Sequence, residues 1–174
     1  RVWHYTPGKK RNVLSYLGNL YYNPAKKDVR DLITKGAVEL VTKYDVDGIH
    51  MDDYFYPPFS GSNLTSAFDA KEYRNSVEKR MGKSIVVFRR NQVNKLVRQM
   101  YKAIKAAKPA ATFGISPAGE YKELLSNYNH YADFRTWLRN PGYVDYITPQ
   151  VYWGFSHPIA PYAKITNYWV NATK

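Results

Sequence analysis

The sequence predicts an α/β fold with parallel strands and flanking helices. Apolar strand-like stretches alternate with amphipathic helical stretches in the order strand, helix, strand, helix, strand. That is the arithmetic of βαβ units. The three clearest strand-like stretches also end polar on one face: His50 and Asp52, then Ser116, then Gln150 and Tyr152. Ligands bind at the carboxyl ends of parallel strands, so these ends are expected to converge on one site.

The bounds set by composition agree. A chain of 174 residues with 44% hydrophobic residues can bury the core of one domain. It has no cysteine, which excludes disulfides, thiolate metal sites and a cysteine nucleophile. No apolar run approaches the roughly 20 residues of a membrane span. No signal peptide is visible, and a start at Arg1 reads as a trimmed piece. Seventeen Tyr and four Trp suit sugar clefts or base stacking, although for most single tyrosines packing is the simpler role. The net charge of +12 is uneven. Residues 44–70 carry five acids and no base; residues 71–108 carry twelve bases and two acids. A basic exterior favours polyanions in general, with solvated helix faces explaining most lysines.

Residues 1–22 read as a hairpin or two short strands, with a turn signal at Thr6-Pro7-Gly8-Lys9 followed by NVLSYLGNLYY. Asn23-Pro24 reads as a helix start, Asn capping and Pro at the first helical position. Val29, Ile33, Ala37, Leu40, Val41 and Tyr44 then follow at helical spacing. The stretch VDGIHMDDYFYPP, residues 46–58, reads as the next strand. Side chains alternate along it, putting His50, Asp52 and Tyr54 on one face and Ile49, Met51 and Asp53 on the other. A long connection follows over 57–88, with a short helix expected around Asp69 to Met81.

Arg89 to Lys108 reads as the clearest helix, with Val93, Leu96, Val97, Met100 and Ile104 on one face and Pro109 ending it. Thr112–Ser116 is a second buried strand, closed by Pro117-Ala118-Gly119. Residues 120–140 are mostly helical or irregular, with Tyr131, Phe134, Trp137 and Leu138 as core. Val144–Trp153 is a third strand whose Pro149 implies a bulge or a local end to pairing. A last helix is expected near Ala163 to Val170.

The blocks YNPAKKDVRDLI, YDVDGIHMDDYFYP, FRRNQVNKLVRQMYKAIKAAKP, FGISPAG, YADFRTWL and VDYITPQVYW, in this order, closely resemble the glycosyl-hydrolase-like 10 family of bacterial (β/α)8-barrel proteins. The resemblance covers nearly the whole chain. It implies a TIM-barrel-type fold, secretion or a lipoprotein anchor, and hydrolysis of glycosidic bonds, with some relatives acting on peptidoglycan glycan strands. The expected location is extracellular or in the cell envelope. A barrel takes about 250 residues, so the chain is expected to form part of one, roughly its fourth to sixth strands. The exposed edges of an open barrel predict self-association.

Glycoside hydrolysis generally uses two carboxyl groups, a proton donor and a nucleophile or base. Asp52 is the first candidate, because it ends its strand on the face of His50. Similar barrels place such an Asp in a Gly-x-basic-x-Asp pattern, which Gly48-Ile49-His50-Met51-Asp52 resembles. Asp53 reaches the site only if the chain turns after Asp52. Glu120 is a third candidate, set against a helix-start or surface role. The stretch also faintly resembles the DGxDxDxE signature of family 18 chitinases. His50 and Tyr54 replace two of its acids, which argues against a substrate-assisted mechanism.

Tyr54, Tyr56, Tyr152 and Trp153 are candidates to stack on sugars, and Gln150 and Ser116 to bond hydroxyls. Arg89, Arg90 and Asn91 either reach an acidic sugar or hold the long loop through Asp52 or Asp53. His50, Asp52 and Asp53 lack any metal-binding spacing, and neither a metal nor a cofactor is expected. A polysaccharide is therefore the expected partner. A carbohydrate-binding remnant of the fold is the alternative. A nucleic-acid binder comes last, because the expected site is acidic and no such motif occurs.

Overall fold

The computed structural model of the protein describes residues 11–57, 59, 68–126 and 130–174. Strands β1 (Val13–Tyr16) and β2 (Asn19–Tyr22) pair antiparallel, Val13 opposite Tyr22 and Tyr16 opposite Asn19. Leu17 and Gly18 between them have φ of 49° and 80°, the left-handed values of a type I′ hairpin turn. The hairpin thus lies wholly within NVLSYLGNLYY. The turn expected at Thr6–Lys9 falls outside the described residues.

Helix α1 (Lys27–Lys43) begins later than Asn23-Pro24 suggested. The Asn23 side chain accepts from the Ala25 amide at 3.1 Å and donates to the Arg11 carbonyl at 3.0 Å. It builds the turn that joins hairpin to helix, and Lys26 occupies the cap position without a side-chain bond. Val29, Ala37 and Val41 are buried, whereas Leu40 and Tyr44 on the same expected stripe stay exposed.

Strand β3 (Gly48–Asp52) follows, then two short helices, α2 (Ala70–Arg74) and α3 (Val77–Arg80). Helix α4 (Ile85–Ala107) starts four residues before the expected Arg89. Ser84 is the reason: its hydroxyl accepts from the Val87 amide at 3.4 Å and caps the helix. The buried stripe of α4 is the expected one, extended by Ile85 and Phe88. It packs on α1 and on β4 (Thr112–Ser116), whose Phe113 and Ile115 are fully buried. Truncating a side chain such as Leu96 or Ile104 in this core costs about 2–5 kcal/mol. Helices α5 (Tyr121–Leu125) and α6 (Phe134–Arg139), strand β5 (Tyr146–Ile147) and helix α7 (Tyr162–Ala172) complete the chain.

β3, β4 and β5 form one parallel sheet in that order, with Asp52 opposite Ser116 and Gly114 opposite Tyr146. The expected strand over 144–153 contracts to two residues, because Pro149 has no N–H to donate. Pairing resumes beyond it as a single bridge between Ala118 and Gln150. Parallel strands with helices outside are the arrangement of part of a (β/α) barrel. Ile49 and Met51 face the helices and the core. His50, Asp52, Gly114, Ser116 and Tyr146 form the other face.

Short links orient the helices. Residues 44–47 join α1 to β3, and residues 108–111 join α4 to β4. Lys108 Nζ bonds the Val46 carbonyl at 2.8 Å, fixing the end of α4 beside the start of β3. Both helices therefore run back along the sheet, and their N-terminal ends lie at the end where Asp52 and Ser116 emerge.

Candidate active site

The strand tips carry a hydrogen-bonded polar group. His50 uses both ring nitrogens: Nε2 lies 2.7 Å from Ser116 Oγ and Nδ1 lies 3.0 Å from the Tyr146 hydroxyl. The Tyr146 ring also stacks on the imidazole, 5.7 Å between centroids and 17° from parallel. Gly114 makes this possible. A Cβ built there would lie 2.1 Å from the Tyr146 ring, so only a residue without one lets the ring cross β4.

Gln150 links two strands. Its Nε2 donates to the Ser116 carbonyl at 2.8 Å and to Asp52 Oδ1 at 3.4 Å. Its Oε1 accepts from the Tyr152 hydroxyl at 3.2 Å. Asp52, Gln150 and Tyr152 therefore form one chain at the exposed end of the sheet, next to His50 and Ser116. Asp52 is exposed and Tyr152 is 81% exposed, so both are open to a ligand.

Asp53 is built differently. It lies one residue beyond β3 and is 2% exposed. Its Oδ2 accepts from the Ala118 amide at 2.9 Å, so a side chain continues the ladder where backbone pairing stops. Burial raises its pKa above the usual carboxylate range. The Ala118 N–H and the nearby His130 oppose that rise, and the charge of Asp52 adds to it. His130 is itself buried. Its Nδ1 lies 2.6 Å from the Tyr56 carbonyl, and its ring meets Tyr54 edge-on with centroids 4.9 Å apart. Tyr54 is 64% exposed.

The other candidates are engaged elsewhere. Arg90 Nη2 donates to the carbonyls of Leu124, Leu125 and Ser126 and so closes the C-terminal end of α5. Asn91 Nδ2 donates to Glu78 at 3.0 Å. Arg89 does not hold Asp52 or Asp53. It forms a buried ion pair with Asp69, both side chains fully enclosed, through contacts of 2.5–3.0 Å. It also donates to the Tyr131 hydroxyl at 2.8 Å and lies 4.2 Å from the Phe59 ring centre. Glu120 caps α5, its Oε1 accepting from the Lys122 amide at 3.0 Å. Tyr56 is a buried core residue, and Trp153 is half-buried near Gly119 and His157. No group of three potential metal ligands occurs among the described residues.

Three contributors were missed in the sequence. Tyr146 carried a signal, since it shares a strand face with Gln150 and Tyr152. Asp69 and His130 carried none: each is an isolated polar residue whose partners lie tens of residues away.

Comparison with known proteins adds the family. The family model described as "Glycosyl hydrolase-like 10" matches residues 3–174. The chain belongs to this family. Among its relatives, "Glycosyl hydrolase YngK" of Bacillus subtilis (strain 168) is 38% identical over 176 residues, covering 93% of this chain and 34% of the relative. "Glycosyl hydrolase DigH" of Escherichia coli (strain K12) is 33% identical over 164 residues, covering 87% of this chain and 36% of the relative. The chain thus spans about a third of the length of these relatives.

Proposed function

We propose that the protein hydrolyses glycosidic bonds of a bacterial cell-wall or related polysaccharide, with Asp52 as the main catalytic carboxylate. One observation carries this reading. Asp52 is an exposed carboxylate at a parallel-strand tip, aligned by Gln150, which Tyr152 in turn holds. A carboxylate so placed can face the positive charge that develops at the anomeric carbon. Both nitrogens of His50 are occupied by hydroxyl partners, so His50 shapes the wall and holds the Ser116 and Tyr146 hydroxyls in place beside the sugar. Tyr54 and Tyr152 offer exposed rings for stacking.

Asp53 is covered and bonded to Ala118. It acts as a positioning residue that ties the end of β3, where Asp52 sits, to the turn after β4. Glu120, on the loop after β4, is the weaker candidate for the proton donor, because its carboxylate caps α5. The surroundings of such a substrate imply an extracellular or cell-envelope location. The open edges of the three-stranded sheet imply self-association, to be read from the mass in solution.

The test is Asp52→Asn, assayed on purified glycan strands with folding checked by circular dichroism. Cleavage is expected to fall by about a hundredfold or more. Unchanged cleavage would remove Asp52 from the mechanism. The exposed Tyr54 and Tyr152 favour a second reading, a carbohydrate-binding remnant of the fold. It predicts glycan binding without turnover in the unaltered protein, and binding unchanged by Asp52→Asn.

A further inference from the structure

The hydrolase reading leaves most of the positive charge without a role. Part of that charge surrounds a groove of about 520 Å³ between the starts of α1 and α4 and the short helices α2 and α3. Lys26, Lys27, Arg30, Lys71 and Lys95 line it. Its two acids have partners: Glu72 pairs with Arg11 at 2.9 Å, and Glu78 accepts from Asn91 at 3.0 Å. Burial works to raise the Glu78 pKa, but the Asn91 bond and the charge of Lys95 together hold it low. Lys27 pairs with Asp31. All Asp and Glu of the chain lie among the described residues, and Lys26, Lys71 and Lys95 form no ion pair with any of them.

Two further features point the same way. Arg30 donates through Nη1 to the Pro24 carbonyl and to Gln92, yet its buried Nε has no partner. Burial also works against its charge, which a bound anion would relieve. The start of α1 borders the groove at Ala25, Lys26 and Lys27, and Lys26 supplies no side-chain cap. First-turn N–H groups and the positive end of a 17-residue helix therefore face the same space.

We propose that this groove is a second binding site, selective for an oxyanion: a carboxylate or phosphate borne by a polysaccharide. Its volume is that of a small-molecule site. The groove lies at the end of the molecule where Asp52 emerges, because the N-terminal ends of α1 and α4 both point there. A charged polymer crossing the strand tips can thus place an anionic substituent in it. The groove binds its anion whether or not Asp52 cleaves anything.

The test follows backbone amide signals of the whole chain by NMR at low salt. The probes are inorganic phosphate, an oligogalacturonate and a neutral cello-oligosaccharide. Saturable shifts at residues 25–30 and around Lys71 are expected with at least one anion and not with the neutral sugar. Phosphate alone, or oligogalacturonate alone, identifies which oxyanion is preferred. Lys71→Ala combined with Lys95→Ala, both exposed positions, is expected to weaken binding by roughly tenfold. Asp52→Asn is expected to leave it unchanged, which separates this site from the hydrolase reading. Shifts that never saturate, that spread evenly over all basic helices, or that survive the double substitution overturn the proposal.

Discussion

Replacing Asp69 by asparagine tests the ion pair that anchors the connection leaving the candidate site. Asp69 ends the segment that runs from Asp52 and Tyr54 back to the helices. Its partner Arg89 sits in the first turns of α4, with no exposed surface on either side chain. In Asp69→Asn the guanidinium keeps Tyr131 and the Phe59 ring but loses the charge that balances it. Breaking one side of a buried pair costs about 3–5 kcal/mol. At about 2–4 °C per kcal/mol for a chain of this length, the melting temperature should fall by roughly 10 °C. Thermal and urea unfolding, followed by circular dichroism, measure it. Replacing both partners with apolar residues, Asp69→Leu with Arg89→Met, should recover most of the loss, because no charge is then stranded. A loss below about 1 kcal/mol in the single variant would refute the reasoning, since such a value belongs to exposed pairs.

Three other outcomes are expected. Burial raises the folded-state pKa of Asp53 above its unfolded value, so the stability this group lends is complete below the unfolded pKa and is lost as pH rises through the folded one. Asp53→Asn cannot titrate and keeps an acceptor for Ala118; its stability relative to the unaltered protein should therefore improve from pH 4 to pH 7, and urea titrations at both values would contradict this if the difference were constant. Gly114→Ala should push the Tyr146 ring off β4, uncouple it from His50 and reduce cleavage, visible as a changed His50 imidazole signal by NMR; an unaltered signal would count against the packing argument. Tyr152→Ala should raise KM about tenfold through lost stacking, with kcat less affected; a fall confined to kcat would assign Tyr152 to the chemistry instead.

The elements with strong local periodicity were legible in the residues alone. The stripe from Val93 to Ile104 repeats at helical spacing, and Thr112–Ser116 alternates cleanly, so α4 and β4 followed from local preference and the need to bury one face. Pro149 announced its own break in pairing. The gathering of His50, Asp52, Ser116 and Gln150 at one rim was also readable, because parallel strands bring their ends together.

Partner choice was not readable. Arg89 had Asp52, Asp53 and Asp69 within reach along the chain, and only packing put Asp69 beside it in a sealed aromatic pocket. Asn23 had the composition of a cap yet spent its side chain on Arg11 and Ala25, so α1 starts late. Nothing near His130 hinted that it would meet Tyr54 and lie close to Asp53. Periodicity reports which face of an element is buried. The pairing of polar groups 20 to 98 residues apart depends on which elements touch and at what register, and that is settled only when the core closes.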